Sequence, residues 1–256
     1  IQDSTSTNIS VIPVVNSAGL GVKLSKSLSF DGGSFNAELM ASAKVQESDA
    51  DVYKIAVRET TTYDNQSPQV AWKIYTVNPS SGVMESQPVN SSSVVSWEKL
   101  FGQDLNNDQI TGVNLSKLQP VAGDADLAID DSGAAYVLLN GRYIPVVGTD
   151  LGSIAFDSFE SLGNVDITTQ ALAAEKQTDS QDDVFLLAVR TLFEETQDAA
   201  NNAENWTVYR LQVEGSNDDA RATVLWDQSV VTTDMTEFNQ LFNTDFSSMQ
   251  STVVGA

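Results

Sequence analysis

The amino-acid sequence predicts an α+β protein, mostly antiparallel β-sheet with a few short helices, organised as two tandem repeats of a similar unit. Short runs of β-branched and aromatic residues alternate with turn-forming residues along most of the chain. Stretches with helical spacing of apolar residues are few and short. Groups of residues also recur in the same order, at offsets of 132 to 141 positions.

The repeat is clearest in two short segments. The Ile-Pro-Val-Val segment at 12–15 recurs at 144–147, which is 132 positions later (144 − 12), and the Ala-Val-Arg segment at 56–58 recurs at 188–190 with the same offset. Aromatic and apolar anchors follow at offsets of 134 and then 141: Trp72 and Tyr75 match Trp206 and Tyr209, and Trp97, Leu100, Phe101, Asp104 and Leu105 match Phe238, Leu241, Phe242, Asp245 and Phe246. The growing offset indicates small loop insertions in the second copy.

These anchors predict three regions. Residues 1–11 are an N-terminal linker or an incomplete hairpin, 12–126 are the first repeat and 127–256 are the second repeat. Since the chain starts at Ile1 without a methionine or a signal peptide, we expect it to be a fragment of a longer protein.

The first repeat contains two predicted strands. The apolar run 52–58 is rich in β-formers, and 71–77 mixes aromatic and β-branched residues before it stops at the turn signal Asn78-Pro79. Their counterparts in the second repeat are 184–190 and 206–213.

The second repeat opens with a predicted three-stranded meander over 127–129, 135–139 and 143–147. The Asp-Asp-Ser-Gly segment at 130–133 would form its first turn. Asn140-Gly141, which is the strongest short hairpin signal, would form the second.

Helix is predicted in three places. The segment 93–102 carries apolar residues at helical spacing and ends at Gly102, a typical C-terminal stop. The matching helix covers 236–242. The alanine-rich segment 169–176 predicts a further turn or two of helix.

Composition excludes several classes of function. The 35 acidic and 13 basic residues give a net charge of −22, which disfavours binding to nucleic acid and to anionic membranes. The absence of Cys and His removes disulfides, thiol or Ser-His-Asp catalysis and His-based metal sites. The longest apolar runs are far shorter than the roughly 20 residues of a membrane span, so we expect none.

The sequence motif with the clearest chemistry lies just after the first predicted helix. Asp104, Asn106 and Asp108 have the i, i+2, i+4 spacing of the first oxygen ligands in a calcium loop. The backbone carbonyl of Ile110 would be the next ligand, and the Ile110 side chain would pack inward. These four positions are the predicted metal site.

The motif departs from the calcium-loop pattern. Gln109 stands where Gly is expected for the sharp turn, and Leu115 stands where a bidentate Glu is expected, so Asp124 or Asp126 would have to supply another carboxylate. The second repeat has Phe-Ser-Ser-Met at 246–249, without such ligands. An equally weighted alternative is a helix end followed by a polar turn whose Asp and Asn side chains bond their own backbone.

At this motif the chain resembles the tryptophan-rich domain that occurs in tandem near the ends of large cyanobacterial and other bacterial exoproteins. The residues that carry the resemblance are Trp72, Tyr75, Trp97, the segment 101–108 (Phe-Gly-Gln-Asp-Leu-Asn-Asn-Asp), Gly112 and the hairpin from 130–133 to Asn140. Gln109 and Phe238 depart from the usual Gly and Trp of that family. The resemblance implies export and a secreted or cell-surface location, with no established activity.

The tryptophans have two possible roles, which are packing in the core and stacking on a bound carbohydrate. Trp72 and Trp206 hold the same repeat position inside apolar strands, which favours the core. Trp226 is the candidate for stacking on a carbohydrate ring. Adjacent carboxylates that a glycosidase could use are also abundant: Asp124/Asp126, Asp130/Asp131, Asp182/Asp183, Glu194/Glu195 and Asp218/Asp219.

The sequence therefore predicts a non-catalytic extracellular repeat module of a large bacterial protein, with an adhesion, matrix or spacer role and weak calcium binding in the first repeat. Its expected partners are neighbouring repeats of the parent protein, a surface glycan or another surface protein. The alternative is a carbohydrate-binding module that uses exposed aromatics, and a carboxylate-dependent hydrolase ranks third.

Overall fold

A computed structural model of the chain describes residues 13–47, 50–64, 67–121, 124, 126–177, 183–195, 202–215, 220–232, 235–242 and 246. The chain divides into two compact units. Unit 1 comprises Ile1–Asn114 together with Asp150–Ser153, and unit 2 comprises Leu115–Thr149 together with Ile154–Ala256. The predicted linker at 1–11 lies outside the described residues.

Unit 1 contains a five-stranded antiparallel meander with strand order β1-β2-β3-β4-β5. The strands are β1 (Lys26–Phe30), β2 (Gly33–Glu47), β3 (Ala50–Tyr63), β4 (Gln69–Val77) and β5 (Val89–Ser91), and helix α1 (Val95–Phe101) follows. The helix packs its aromatic side chains on one sheet face, where Trp72 is buried. The opposite face buries Tyr53, Ile55 and Val57.

Unit 2 contains a nine-stranded sheet with strand order β10-β11-β12-β13-β14-β9-β8-β7-β6. Its elements are β6 (Gln119–Pro120), β7 (Leu127–Ile129), β8 (Ala135–Leu139), β9 (Arg142–Val147), β10 (Asp157–Leu162), β11 (Val165–Lys176), β12 (Val184–Glu195), β13 (Ala203–Glu214), β14 (Arg221–Thr232) and helix α2 (Met235–Phe242). A short 3-10 turn, Leu115–Lys117, precedes β6. All neighbouring strands are antiparallel except β14 and β9, which run parallel.

The described chain is therefore rich in β-strand and contains few helices, as predicted. The helices at 95–101 and 235–242 and the meander at 127–147 lie where the sequence predicted them. Asn140 and Gly141 have φ angles of 52° and 77°, which a two-residue hairpin with positive φ at both positions requires. Among the described residues, no helix is long and apolar enough to cross a membrane.

The predicted helix at 169–176 is wrong, because this segment lies in strand β11. β11 pairs with β12 along its length and with β10 over its first half. Ala171, Leu172, Ala173 and Ala174 are all buried, so both faces of the strand are covered. An isolated helix of eight residues is marginal in water, whereas pairing in the sheet satisfies the backbone and buries apolar surface.

One strand pair in each unit contains a shift of register. In unit 1, β2 pairs with β3 with a register shift between Leu39 and Ala41. In unit 2, β11 pairs with β12 with a register shift between Ala171 and Ala173, which is 132 positions later. In each pair the shift leaves one extra residue on one strand, which is the pattern of a β-bulge.

Candidate functional site

The candidate site is the loop 102–114 that follows α1. The helix ends at Gly102, whose φ of 62° is left-handed and whose N–H bonds back to the carbonyls of Glu98 and Lys99. Trp97 and Phe101 hold the helix on the sheet, since their side chains are 2% and 6% exposed. The loop therefore begins at the end of a helix whose position is fixed by packing on the sheet.

The side chain of Glu98 holds this loop in place through hydrogen bonds. Glu98 is fully buried, and its Oε1 accepts hydrogen bonds from the backbone N–H groups of Leu105 at 2.9 Å and Asn106 at 3.2 Å. Its Oε2 accepts one from Gly112 N–H at 2.8 Å. One carboxylate thus ties both ends of the loop to the helix.

Burial raises the pKa of Glu98 above its ordinary value of 4.5. The three backbone N–H groups that it accepts oppose this shift because they stabilise the charged form, and the nearby charge of Asp108 raises the pKa further. Desolvation is the largest effect, so protonation of this carboxyl is easier in the folded protein.

The three predicted metal-ligand side chains are brought together in this loop. Asp104 accepts hydrogen bonds from Asp108 N at 3.2 Å and from Gln109 N at 2.8 Å. Asn106 Oδ1 accepts from Asp108 N at 3.0 Å, and Asp108 Oδ1 accepts from Ile110 N at 2.9 Å. The side-chain oxygens therefore bond their own backbone, which is the polar-turn arrangement that the sequence left open beside calcium.

The loop backbone turns sharply at two residues that are not glycine. Asn107 has a φ of 63° and Gln109 has a φ of 73°. Position 109 is the one where the calcium-loop pattern has Gly, so its left-handed conformation occurs here with a side chain present. This conformation costs roughly 1–2 kcal/mol for a residue with a Cβ.

The predicted inward packing of Ile110 is wrong. Its side chain is 43% exposed, and Leu105, which is 2% exposed, fills the apolar space beneath the loop instead. The reason lies in the Glu98 hydrogen bonds, which draw the backbone at Leu105 toward the helix while Ile110 stays on the outer turn.

Asp124 and Asp126, the predicted additional ligands, belong to unit 2. Asp124 Oδ2 accepts a hydrogen bond from Ala174 N of β11 at 2.6 Å, and its Oδ1 accepts one from Asp126 N at 2.7 Å. Within the described part of the chain, no three acidic residues are grouped closely enough to hold a metal ion.

The tryptophans divide into buried and exposed. Trp72, Trp97 and Trp206 are 4%, 2% and 3% exposed, so the prediction that Trp72 and Trp206 lie in the core is confirmed. Trp226 on β14 is 49% exposed, and its ring stands edge-on to Tyr209 with centroids 5.6 Å apart. Burial raises the pKa of Tyr209 above its ordinary value.

Trp226 lies in an irregular stretch of its strand. On β13 only Tyr209 separates Val208 from Arg210, whereas their β14 partners, Val230 and Leu225, are separated by the segment 226–229. A bulge of this kind re-aims side chains at the surface.

Sequence reasoning missed Glu98 and its counterpart in α2. Asn239 lies 141 positions after Glu98 (239 − 98), and its Oδ1 accepts a hydrogen bond from Phe246 N at 3.0 Å. The available signal was an acidic side chain next to Trp97 in a helix that must bury its aromatic face. A charged side chain is almost never fully buried, so the charge of Glu98 gives no indication of its burial.

No protein-family model matches the sequence, and neither the curated proteins nor the solved structures contain a match.

Proposed function

We propose that this chain is a non-catalytic module of a large secreted or cell-surface bacterial protein, built from two copies of one meander-and-helix unit. Its role would be adhesion, matrix formation or spacing. Its partners would be neighbouring repeats of the same parent protein, a surface glycan or another surface protein.

The observation that carries the proposal is the correspondence of the two helix-facing cores. In unit 1 this core contains two strand alanines, two β4 side chains and three aromatic or apolar side chains from α1 and its loop. Each has a buried counterpart in unit 2: Ala41 and Ala173, Ala56 and Ala188, Trp72 and Trp206, Ile74 and Val208, Trp97 and Phe238, Phe101 and Phe242, and Leu105 and Phe246.

The opposite sheet face supports the same equivalence. Tyr53, Ile55, Val57 and Val77 in unit 1 match Phe185, Leu187, Val189 and Leu211 in unit 2. Because core packing recurs while the loop side chains differ, the repeated feature is a scaffold. That is what a spacer or presenting module requires.

The location can be tested on the source cells. An antibody raised against this chain should label intact cells or detect the protein in culture medium. Protease added to intact cells should remove the cell-bound signal while a cytoplasmic marker protein survives. A signal that appears only after lysis would contradict the extracellular assignment.

We also propose weak calcium binding by Asp104, Asn106, Asp108 and the backbone carbonyl of Ile110. Each carboxylate oxygen has two lone pairs, so an oxygen that accepts one N–H can still face a cation. Calcium takes six to eight oxygen ligands, so water would have to complete the shell. The expected Kd is about 10⁻⁴ to 10⁻³ M, as in extracellular modules.

Calorimetric titration tests this part of the proposal. Asp108→Asn should abolish the heat of calcium binding, whereas Asp64→Asn, which changes an exposed carboxylate elsewhere in unit 1, should leave it unchanged. Absence of heat at millimolar calcium, with the same melting temperature in chelator, would remove calcium from the proposal.

Carbohydrate binding at Trp226 is the second candidate function. The half-exposed ring in the bulge supports it, because an indole face can stack on the apolar face of a sugar. Binding on a glycan array should be lost in Trp226→Ala and retained in Val231→Ala, which removes another exposed apolar side chain of the same strand. A blank array for the unaltered protein would count against it.

A further inference from the structure

The corresponding edges of the two sheets are covered differently. In unit 2, β10 pairs with β11 only over Val165–Gln170. Beyond Gln170, β11 has no pairing with β10 on this edge. Four consecutive residues there, from Ala171 to Ala174, are between 4% and 7% exposed. The outer edge of β11 is therefore closed beyond the end of β10.

A turn closes that edge. Val121 N bonds to the carbonyl of Leu127 at 2.9 Å, and Asp124 N bonds to the carbonyl of Val121 at 3.1 Å. The carboxylate of Asp124 then accepts the Ala174 N–H at 2.6 Å. Val121 packs against the neighbouring core cluster. A hairpin turn with an aspartate thus caps an edge amide that the sheet itself leaves unpaired.

Among the described residues of unit 1, no strand or turn pairs with the equivalent edge beyond β1. β1 pairs with β2 only as far as Ala37, and the exposed residues beyond it include Leu39, at 48%, and Ser42. Ser25 Oγ accepts the Leu39 N–H at 3.3 Å. The described residues of unit 1 contain no strand equivalent to β6 or β7.

The register identifies the free donor on this edge. Ser42 pairs with Ile55 as Ala174 pairs with Leu187, since each pair lies 132 positions from the other. The Ala174 N–H points away from β12 toward Asp124, so the Ser42 N–H points away from β3. Within the described chain, no residue accepts a hydrogen bond from the Ser42 N–H.

We propose that the open edge of β2 at Leu39–Ser42 is a docking site for a β-hairpin of a neighbouring module whose turn carries an aspartate. The carboxylate would accept the Ser42 N–H, and an apolar residue near the turn would cover Leu39. This inference rests on the equivalence of the two units proposed above. The occupant is chosen because unit 2 already holds such a turn on the same edge.

The chemistry of the site matches this occupant. An exposed sheet edge takes up another chain through its outward N–H and C=O groups, and an exposed leucine beside it adds apolar contact. Loss of a hydrogen bond from an amide to a charged carboxylate corresponds to about tenfold or more in affinity.

The test uses the full chain and a synthetic peptide with the sequence of residues 115–131, which contains the unit 2 turn. Amide shifts are followed by NMR as peptide is added to about 2 mM, a range suited to weak complexes. The expected result is shift changes centred on 39–44. A peptide with Asp124→Asn should bind more weakly.

Variants of the protein separate the edge amide from side-chain effects. Ser42→Pro removes the outward N–H and should weaken binding about tenfold or more. Its matched control, Ser42→Ala, keeps the N–H and should bind like the unaltered chain. If Ser42→Pro does not fold, Leu39→Asp tests the same edge by placing a like charge beside the incoming aspartate.

Four results would overturn the inference: no shift change at 39–44, changes confined to β11, equal affinity for Ser42→Pro, or self-association of the chain that excludes the peptide. The last would make a second copy the occupant. None of them depends on calcium or on cellular location, so failure here is distinct from failure of the proposed function.

Discussion

Two opposing effects act on the charge of the Glu98 carboxylate. Full burial penalises its charge, while three backbone N–H groups stabilise it. Asn239, which lies 141 positions later in α2, accepts a hydrogen bond from Phe246 N–H without carrying a charge. The carboxylate is therefore a specific requirement of the first loop, where the additional donors are Asn106 and Gly112.

Glu98→Gln should lower the free energy of unfolding by about 1–2 kcal/mol at neutral pH, because the amide nitrogen cannot accept the Gly112 N–H. Denaturant unfolding measures the change. Glu160→Gln, which neutralises an exposed glutamate in β10, is the control and should stay within about 0.5 kcal/mol of the unaltered protein. Equal effects of the two substitutions would contradict the structural role of Glu98.

The stability difference between the unaltered protein and Glu98→Gln should depend on pH. The folded-state pKa of Glu98 is raised above 4.5, so the folded protein binds this proton more tightly than the unfolded chain does. The resulting stabilisation is complete below the unfolded-state pKa and is lost as pH rises through the folded-state pKa. The stability difference between the unaltered protein and Glu98→Gln should therefore be larger at pH 4 than at pH 7. A difference that grows with pH would contradict the raised pKa.

Gln109→Gly should stabilise the protein by about 0.5 kcal/mol. Relief of the left-handed backbone at φ 73° outweighs the extra freedom that glycine gives the unfolded chain. Gln103→Gly in the same loop is the control, because its backbone is not left-handed and the substitution should destabilise. Thermal melting of both variants decides the matter, and destabilisation by Gln109→Gly would refute the strain argument.

At the scale of elements, each helix is held by its aromatic face. In α2, the ring centroid of Phe238 lies 5.0 Å from that of Trp206 and 5.1 Å from that of Phe246, and the centroid of Phe242 lies 5.8 Å from that of Phe246. The helix has only eight residues, so packing rather than intrinsic propensity keeps it formed.

Phe238→Ala should therefore cost about 3–5 kcal/mol of stability, since it removes a fully buried ring. Leu241→Ala on the same helix removes a side chain that is 44% exposed and should cost less than about 1 kcal/mol. Urea unfolding of the two variants gives the comparison. A small effect of Phe238→Ala would mean that α2 is not part of the cooperative core.

At the scale of the molecule, charge is distributed unevenly along the chain. Residues 1–114 contain 12 acidic and 7 basic residues, a net charge of −5, and residues 115–256 contain 23 and 6, a net charge of −17. Such an excess of one sign favours solubility, and it destabilises the folded state through self-repulsion.

Sodium chloride should accordingly raise the melting temperature between about 10 and 150 mM, as the screening length falls from roughly 30 to 8 Å. Calcium chloride at matched ionic strength separates screening from specific binding, because only binding adds stability beyond the sodium curve. A melting temperature that falls with added sodium chloride would show that ion pairs outweigh repulsion.

The amino-acid sequence by itself determined the β-rich class, both helices, the 127–147 meander and the core positions of Trp72 and Trp206. These follow from local periodicity, turn residues and matching anchors, which act over a few residues. It also identified the loop side chains Asp104, Asn106 and Asp108, because their spacing is local.

Only the tertiary structure decided that 169–176 is a strand, that Ile110 faces solvent and that Glu98 is buried. It also showed that no strand in the described part of the chain pairs with the edge at Leu39–Ser42. Each outcome depends on partners that are distant in sequence: β12 for β11, the loop amides for Glu98, and the Asp124 turn that closes the edge of unit 2. Pairing and burial override local propensity wherever a segment gains more from its neighbours than from its own conformation.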